Sequence, residues 1–354
     1  MANQIADVPA LAAHGATRLP SVEVDSYNVE IRDDEGFIGD RITTATFRDS
    51  IDELRKLLRK DGEDPLGDAP TEDLGKKTLD KLLAGEPEAA GIVQSAIEDF
   101  AHELARVVCR FLKLKAWQHT ERIAVGGGFR DSRVGELVVA RAGVILKSDD
   151  VDIDLTPIRN DPDEAGMLGA AHLVPSWVFK GHEAIAAVDI GGNSFRAGII
   201  DLNLKHARDL SKASVWKCDQ WRHADDKPSR HAAVDELVKM LRKLIARAED
   251  EGLQLAPFIG VGCPGHIKPN GAIDRGAKNL PGNWESGSFN LASRLCQSIP
   301  KIGRNDTMVL IHNDAVVQGL SELPFMQDVN RWGILTVGTG LGNARFTNHA
   351  RPDE

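Results

Sequence analysis

Residues 187–203 read AVDIGGNSFRAGIIDLN, and the fold turns on how that stretch is read. The run leading into it, residues 184–188, is short, apolar and partly β-branched, which is the pattern of a buried strand. Asp189 stands at its end, followed by Gly191, Gly192 and the polar pair Asn193 and Ser194. A second apolar run, residues 195–200, closes at Asp201. The sequence therefore predicts a strand, a tight glycine turn and a second strand. Adjacent glycines let backbone N–H groups face an anion with no Cβ in the way. A carboxylate just upstream suits a hydrated Mg²⁺ that bridges phosphates. The plain alternative is an ordinary Gly-Gly hairpin beside a solvated aspartate.

Three further stretches bear on that choice. Residues 260–265 read GVGCPG, Asn313-Asp314-Ala315 follows the apolar run 308–311, and residues 336–342 read TVGTGLG. In order and spacing after DIGGNSFRAG, these resemble the ROK family of sugar kinases, within the actin-like ATPase superfamily. The resemblance is strong over residues 184–343. It implies an α/β, two-lobed, ribonuclease H-like fold with a central cleft. It makes DIGGNSFRAG the first phosphate motif, with Gly191, Gly192, Asn193 and Arg196 toward nucleotide and Asp189 toward Mg²⁺, through water. Residues Gly338, Thr339, Gly340 and Gly342 become the second phosphate motif, and Asp314 the catalytic base.

Composition bounds the reading. A chain of 354 residues with 42% hydrophobic and 27% charged residues is long enough for two lobes with full cores. A net charge of −10 without a Lys/Arg block argues against nucleic acid as partner. Cys109, Cys218, Cys263 and Cys296 are scattered, with no CxxC spacing, so reduced thiols and no zinc are expected. No signal peptide and no membrane span is visible, and a cytoplasmic protein is expected. A homodimer is left open.

The rest of the chain alternates strand and helix patterns. Residues 1–19, rich in small residues, are expected to be flexible. Residues 22–31 suit an edge strand. Helices are predicted over 43–60, 76–83, 86–114, 133–146, 163–173, 232–251, 289–297 and 315–323. Strands are predicted over 122–129, where the strand runs into three glycines, and over 151–158, 214–218, 258–261, 308–311 and 332–337. The helix at 163–173, DEAGMLGAAHL, is small enough along one side to pack its backbone closely against a sheet or another helix.

The family's order is rearranged. Gly126, Gly127 and Gly128, which resemble its adenosine motif, and the small-residue helix lie ahead of the first phosphate motif, as a circular permutation would place them. The expected organisation is a flexible stretch 1–19 and a nucleotide-binding lobe 20–162. A smaller lobe, 163–312, carries the first phosphate motif and the sugar segments, and 313–354 returns to the nucleotide-binding lobe. An unrelated N-terminal α/β or helical domain with a chance GGG is the alternative.

The implied reaction moves the γ-phosphoryl group of ATP to a hydroxyl of a hexose or amino sugar. Asp314 takes the hydroxyl proton, and Asn313 hydrogen-bonds a neighbouring hydroxyl. An isolated Asn-Asp pair could equally be a helix cap. Gly265, His266 and Asn279, the last within residues 278–284, KNLPGNW, resemble the segments that face the sugar. The family's ExGH motif is not recognisable and its zinc motif is replaced by residues 32–40, RDDEGFIGD, where Asp40 is a candidate sugar contact. Asn193 stands where the family has Thr. A sugar sensor without catalysis is the competing function.

Overall fold

The computed structural model describes residues 11–60, 62, 64–128 and 132–349. The chain divides into two compact units. The first comprises residues 1–25, 163–328 and 347–354, and the second residues 26–162 and 329–346. Each has its own α/β core, with a mixed sheet in the first and a five-stranded sheet in the second.

In the first unit, Ala184–Ile190 and Phe195–Asp201 pair antiparallel, as the strand–turn–strand reading expects, with Asp189 opposite Arg196. Ser214–Trp221 extends that antiparallel side. On the other side Leu255–Cys263 runs parallel to Ala184–Ile190, and Met308–Asn313 runs parallel to Leu255–Cys263. The inner strands are nearly all apolar because both faces are covered. The helix Arg230–Asp250 buries Leu237, Leu241 and Leu244 against this sheet, starting at Ser229, whose hydroxyl accepts from the Ala232 N–H.

The other five-stranded sheet orders its strands Val22–Tyr27, Leu341–Asn348, Arg331–Val337, Arg122–Gly127 and Asp154–Pro157. Arg331–Val337 and Arg122–Gly127 are parallel neighbours, with Gly126 opposite Thr336 and Gly127 opposite Val337. The central helix, Pro87–Leu112, has proline at its first position, where the missing N–H costs nothing. It buries Ile97, Phe100, Leu104, Val108 and Phe111 on one face. Arg55, on Thr44–Leu58, is also buried; it donates to Asp64, Thr71 and the carbonyls of Gly67 and Ala69, so its charge is fully partnered.

The predicted helix at 163–173 is split, an α-helix Pro162–Gly169 followed by a tighter 3₁₀ turn Ala170–Leu173. Residues 11–19 also differ from the flexible stretch that composition suggests. The Gly15 N–H donates to the Ile311 carbonyl, the Ile311 N–H to His14 Nδ1, and Leu19 is buried. Residues 1–10, the start of that stretch, lie outside the described residues. No helix among the described residues is long and apolar enough to cross a membrane.

Candidate active site

Asp314 opens the helix Asp314–Leu320 directly after the strand Met308–Asn313. Asn313 is the helix cap: its Oδ1 accepts from the Ala315 and Val316 N–H groups at 3.0 and 3.3 Å. Its Nδ2 donates to the Gly265 carbonyl at 3.0 Å and to Asp314 Oδ1 at 2.9 Å. The side chain is buried and its hydrogen-bonding capacity is used up within the fold. Where the sequence reading gives Asn313 a sugar hydroxyl, the geometry gives it the task of fixing Asp314 and tying it to the Pro264-Gly265 turn. Both residues fall in the first unit, whereas the sequence reading grouped them with the nucleotide-binding lobe.

Asp189 stands beside Asp314. A Cβ placed on Gly262 would lie 3.6 Å from both Asp189 Oδ1 and Asp314 Cα. Burial, followed by the neighbouring Asp189 charge, pushes the Asp314 carboxyl up to about 6. Burial also raises Asp189, against the pull of Arg196, whose Nη1 lies 3.3 Å from Asp189 Oδ2. The same guanidinium reaches Asp163 on the small-residue helix. That helix needs its glycine here, because a Cβ on Gly166 would stand 2.6 Å from Asp189 Cγ. Cys263, buried between these groups, has its thiol held well above the usual range by burial and by both carboxylates, which makes it an inert neighbour.

The candidate acceptor segments lie in the same unit. Gly265 turns the chain into the short hairpin His266–Ile267 and Ile273–Arg275, with His266 half-buried. Asn279 is exposed, and its Cβ lies 3.4 Å from where a Gly192 Cβ would be, so the 278–284 segment borders the glycine turn. Trp284 is buried and donates to the Pro281 carbonyl at 2.8 Å. Asp40 belongs to the second unit, exposed in a 3₁₀ turn, Ile38–Arg41.

The second unit gathers the other glycine motifs. Gly127 has φ +102°, and a Cβ there would meet the Val337 carbonyl oxygen at 1.9 Å, so this turn admits only glycine. The Gly128 N–H donates to that same carbonyl. The loop 338–340 closes through Gly338 N–H to the Gly340 carbonyl, and the Gly338 carbonyl accepts from the Thr44 N–H at 3.0 Å. Among the described residues, chain neighbours aside, no atom lies within 4 Å of a Cβ built on Gly338 or Gly340, and neither has a positive φ. Gly342 lies in the strand Leu341–Asn348.

Two participants escape the sequence reading. Thr44 starts a helix against both glycine loops, its hydroxyl 3.3 Å from a Gly128 Cβ position. The capping box of Thr43 and Thr46 was a legible signal for that helix start. His223 contacts the Gly191 carbonyl, and a lone histidine gives no signal.

The adjacent carboxylates of Asp189 and Asp314 would suit a Mg²⁺ ion held mainly by water and phosphate oxygens. Among the described residues no group of three or more His, Cys, Asp or Glu could hold a metal. The four cysteines are free thiols.

No family model matches the chain, and no curated protein matches it. Among solved structures it is similar to a Listeria monocytogenes protein described as a putative N-acetylmannosamine kinase, at 27% identity over 47% of each chain, with a TM-score of 0.33. It is also similar to a protein of Cytophaga hutchinsonii described as a putative sugar kinase, at 18% identity over 47% of this chain and 48% of that one, TM-score 0.34. An exopolyphosphatase-like protein aligns at 14% identity over 70% and 86% of the two chains, TM-score 0.27. The chain spans about half the length of the first two. The functional reading rests on the chain's own residues.

Proposed function

We propose that this chain transfers the γ-phosphoryl group of ATP to a hydroxyl of a hexose or amino sugar, with Asp314 as general base. The carrying observation is Asp314 itself. Its carboxylate is held by Asn313 at a strand end, beside Asp189, which leads into the glycine turn, and is shifted to about 6. A base of that strength is ionised at neutral pH and accepts a proton more readily than an exposed aspartate. In the step, the sugar oxygen bonds to the γ-phosphorus while its proton passes to Asp314. The bond from γ-phosphorus to the β,γ-bridging oxygen breaks, and ADP leaves with the electron pair.

The turn 191–194 and the loop 338–340 would each meet a phosphate oxygen through backbone amides, the Gly191 and Gly338 N–H groups being already spent on the Ser194 and Gly340 carbonyls. Gly126, Gly127 and Gly128 give the adenosine a flat backbone surface. Mg²⁺ held through Asp189 would neutralise phosphate charge. Asn279, His266 and Gly265 face the sugar. The ROK resemblance with circularly permuted order belongs to this proposal. The parallel register of Arg122–Gly127 beside Arg331–Val337 supports it, since it brings two sequence-distant glycine motifs to one sheet end.

A second reading, a sugar sensor that does not catalyse, draws support from Asn193 in place of Thr and from Asp189 already paired with Arg196. A sugar panel with Mg·ATP, followed by ADP release, separates the two. Asp314→Asn is expected to lower turnover by about 10²–10⁴ while sugar and nucleotide still bind. Turnover within a few-fold of wild type would remove Asp314 as base and favour the sensor.

A further inference from the structure

The glycine turn at residues 191–194 is gripped from outside by the segment 220–224. His223 is 3% exposed, and its Nε2 lies 3.0 Å from the Gly191 carbonyl oxygen. A carbonyl can only accept, so Nε2 carries the proton and donates. One residue on, the Ala224 N–H donates to the Asn193 carbonyl at 3.2 Å. Gln220 Nε2 lies 3.3 Å from the Ser194 hydroxyl, and the turn closes internally through Gly191 N–H to the Ser194 carbonyl at 2.9 Å. Two carbonyls of the turn are thus drawn toward the segment 223–224.

The histidine ring is itself fixed. It packs on Phe195 with centroids 4.7 Å apart, and Phe195 meets Trp284 edge-on at 5.8 Å. Trp221 completes the cluster at 5.9 Å from Phe195, and its indole N–H donates to Asp226. This aromatic chain runs from the glycine turn to the 278–284 segment.

We propose that His223 is a positioning residue for the phosphate turn. By holding the Gly191 carbonyl it sets the peptide planes of the turn, so that the amides stay available to a phosphate oxygen. A turn free to rotate these peptides would present carbonyl oxygens to an anion part of the time and would lose affinity to that reorganisation. The inference rests on the kinase reading, because it takes the ligand of the turn to be a nucleotide phosphate. Its mechanical part, that the imidazole N–H orders the turn, is testable without any ligand.

Two variants separate the donor from the packing. His223→Phe keeps an aromatic ring on Phe195 and removes the N–H. His223→Gln keeps an amide N–H at similar reach. Amide hydrogen exchange over residues 190–195 is expected to speed up in His223→Phe and to stay near wild type in His223→Gln. Affinity for the Mg²⁺ complex of a non-hydrolysable ATP analogue, measured by calorimetry, should fall about tenfold in His223→Phe, since a buried acceptor loses its donor. His223→Gln should recover most of it, and in turnover KM for ATP should rise with KM for sugar unchanged. Unchanged exchange in His223→Phe would overturn the proposal, and so would equal loss in both variants, which marks the ring as packing alone. If wild type binds no nucleotide, the kinase reading fails by itself. The exchange pattern then decides the clamp alone.

Discussion

Gly127 and Gly340 serve the two glycine motifs of one sheet, on turns that follow neighbouring parallel strands, yet the fold explains only one of them. Gly127 is forced twice, by a φ of +102° and by the Val337 carbonyl oxygen 1.9 Å from any Cβ. Around Gly340, and around Gly338, no atom of the described residues beyond the chain neighbours lies within 4 Å of a Cβ, and no positive φ demands glycine. A residue that the packing does not require, in a loop with room to spare, points to something that approaches the backbone from outside. The same contrast separates Asn313, spent on four internal bonds, from Asp314, which burial and Asp189 hold in an unfavourable state when ionised.

The largest effect expected from this contrast is on the Gly127 side. Gly127→Ala should destabilise the protein by about 3–5 kcal/mol, or stop it folding, through a forbidden φ and a direct clash. Denaturant unfolding measures it, and a loss under 1 kcal/mol, on the order of an ordinary surface change, would break the comparison.

Asp314→Asn should move stability the other way. The folded carboxyl titrates near 6, above its ordinary value. Below the unfolded pKa, about 4, both states are protonated and the substitution is neutral. Between there and the folded pKa the unfolded state ionises first, and the wild type loses stability. Above about pH 6 the penalty is full, so the variant should be more stable by about 1–3 kcal/mol at pH 7–8, with the gain vanishing near pH 4. Thermal unfolding across that range checks the sign. A variant less stable than wild type at pH 8 would mean that Asp314 is held for the fold.

The smallest stability change is expected at the open loop. Gly338→Ala and Gly340→Ala should stay within about 1 kcal/mol of wild type, because alanine narrows the unfolded ensemble and meets no other described residue in the folded one. Both should nonetheless weaken Mg·ATP binding, since the added methyl occupies the approach to the backbone. Unaltered nucleotide affinity in both would leave the two glycines without a reason, while the argument for Gly127 would stand.

Local pattern carried much of this molecule. The apolar run before Asp189, the adjacent glycines and the second run gave the pairing of Ala184–Ile190 with Phe195–Asp201, because strand–turn–strand is written over consecutive residues. The helix Pro87–Leu112 was legible from its apolar spacing, and the Lys76–Leu83 helix was predicted to both of its ends. Asn313 was legible as a cap, from its place between strand and helix. The parts that stayed hidden are long-range. His223 reaches Gly191 across 32 positions, and Asn313 reaches Gly265 across 48. Residues 11–19 read as a loose end by composition and are instead pinned by His14 and Gly15 to Ile311.

By itself, then, the sequence determined which segments are strands and helices, and which chemistry-bearing residues stand at their ends. Periodicity and turn chemistry act over a few residues. Only the tertiary structure decided that Asp314 sits next to Asp189 and titrates near 6, that Asn313 is consumed in holding it, and that Gly127 is needed by the fold while Gly340 is not. A pKa depends on what water is excluded and which charges come close, and a glycine's necessity depends on what occupies the space of its missing Cβ. Both are set by segments far apart in the chain.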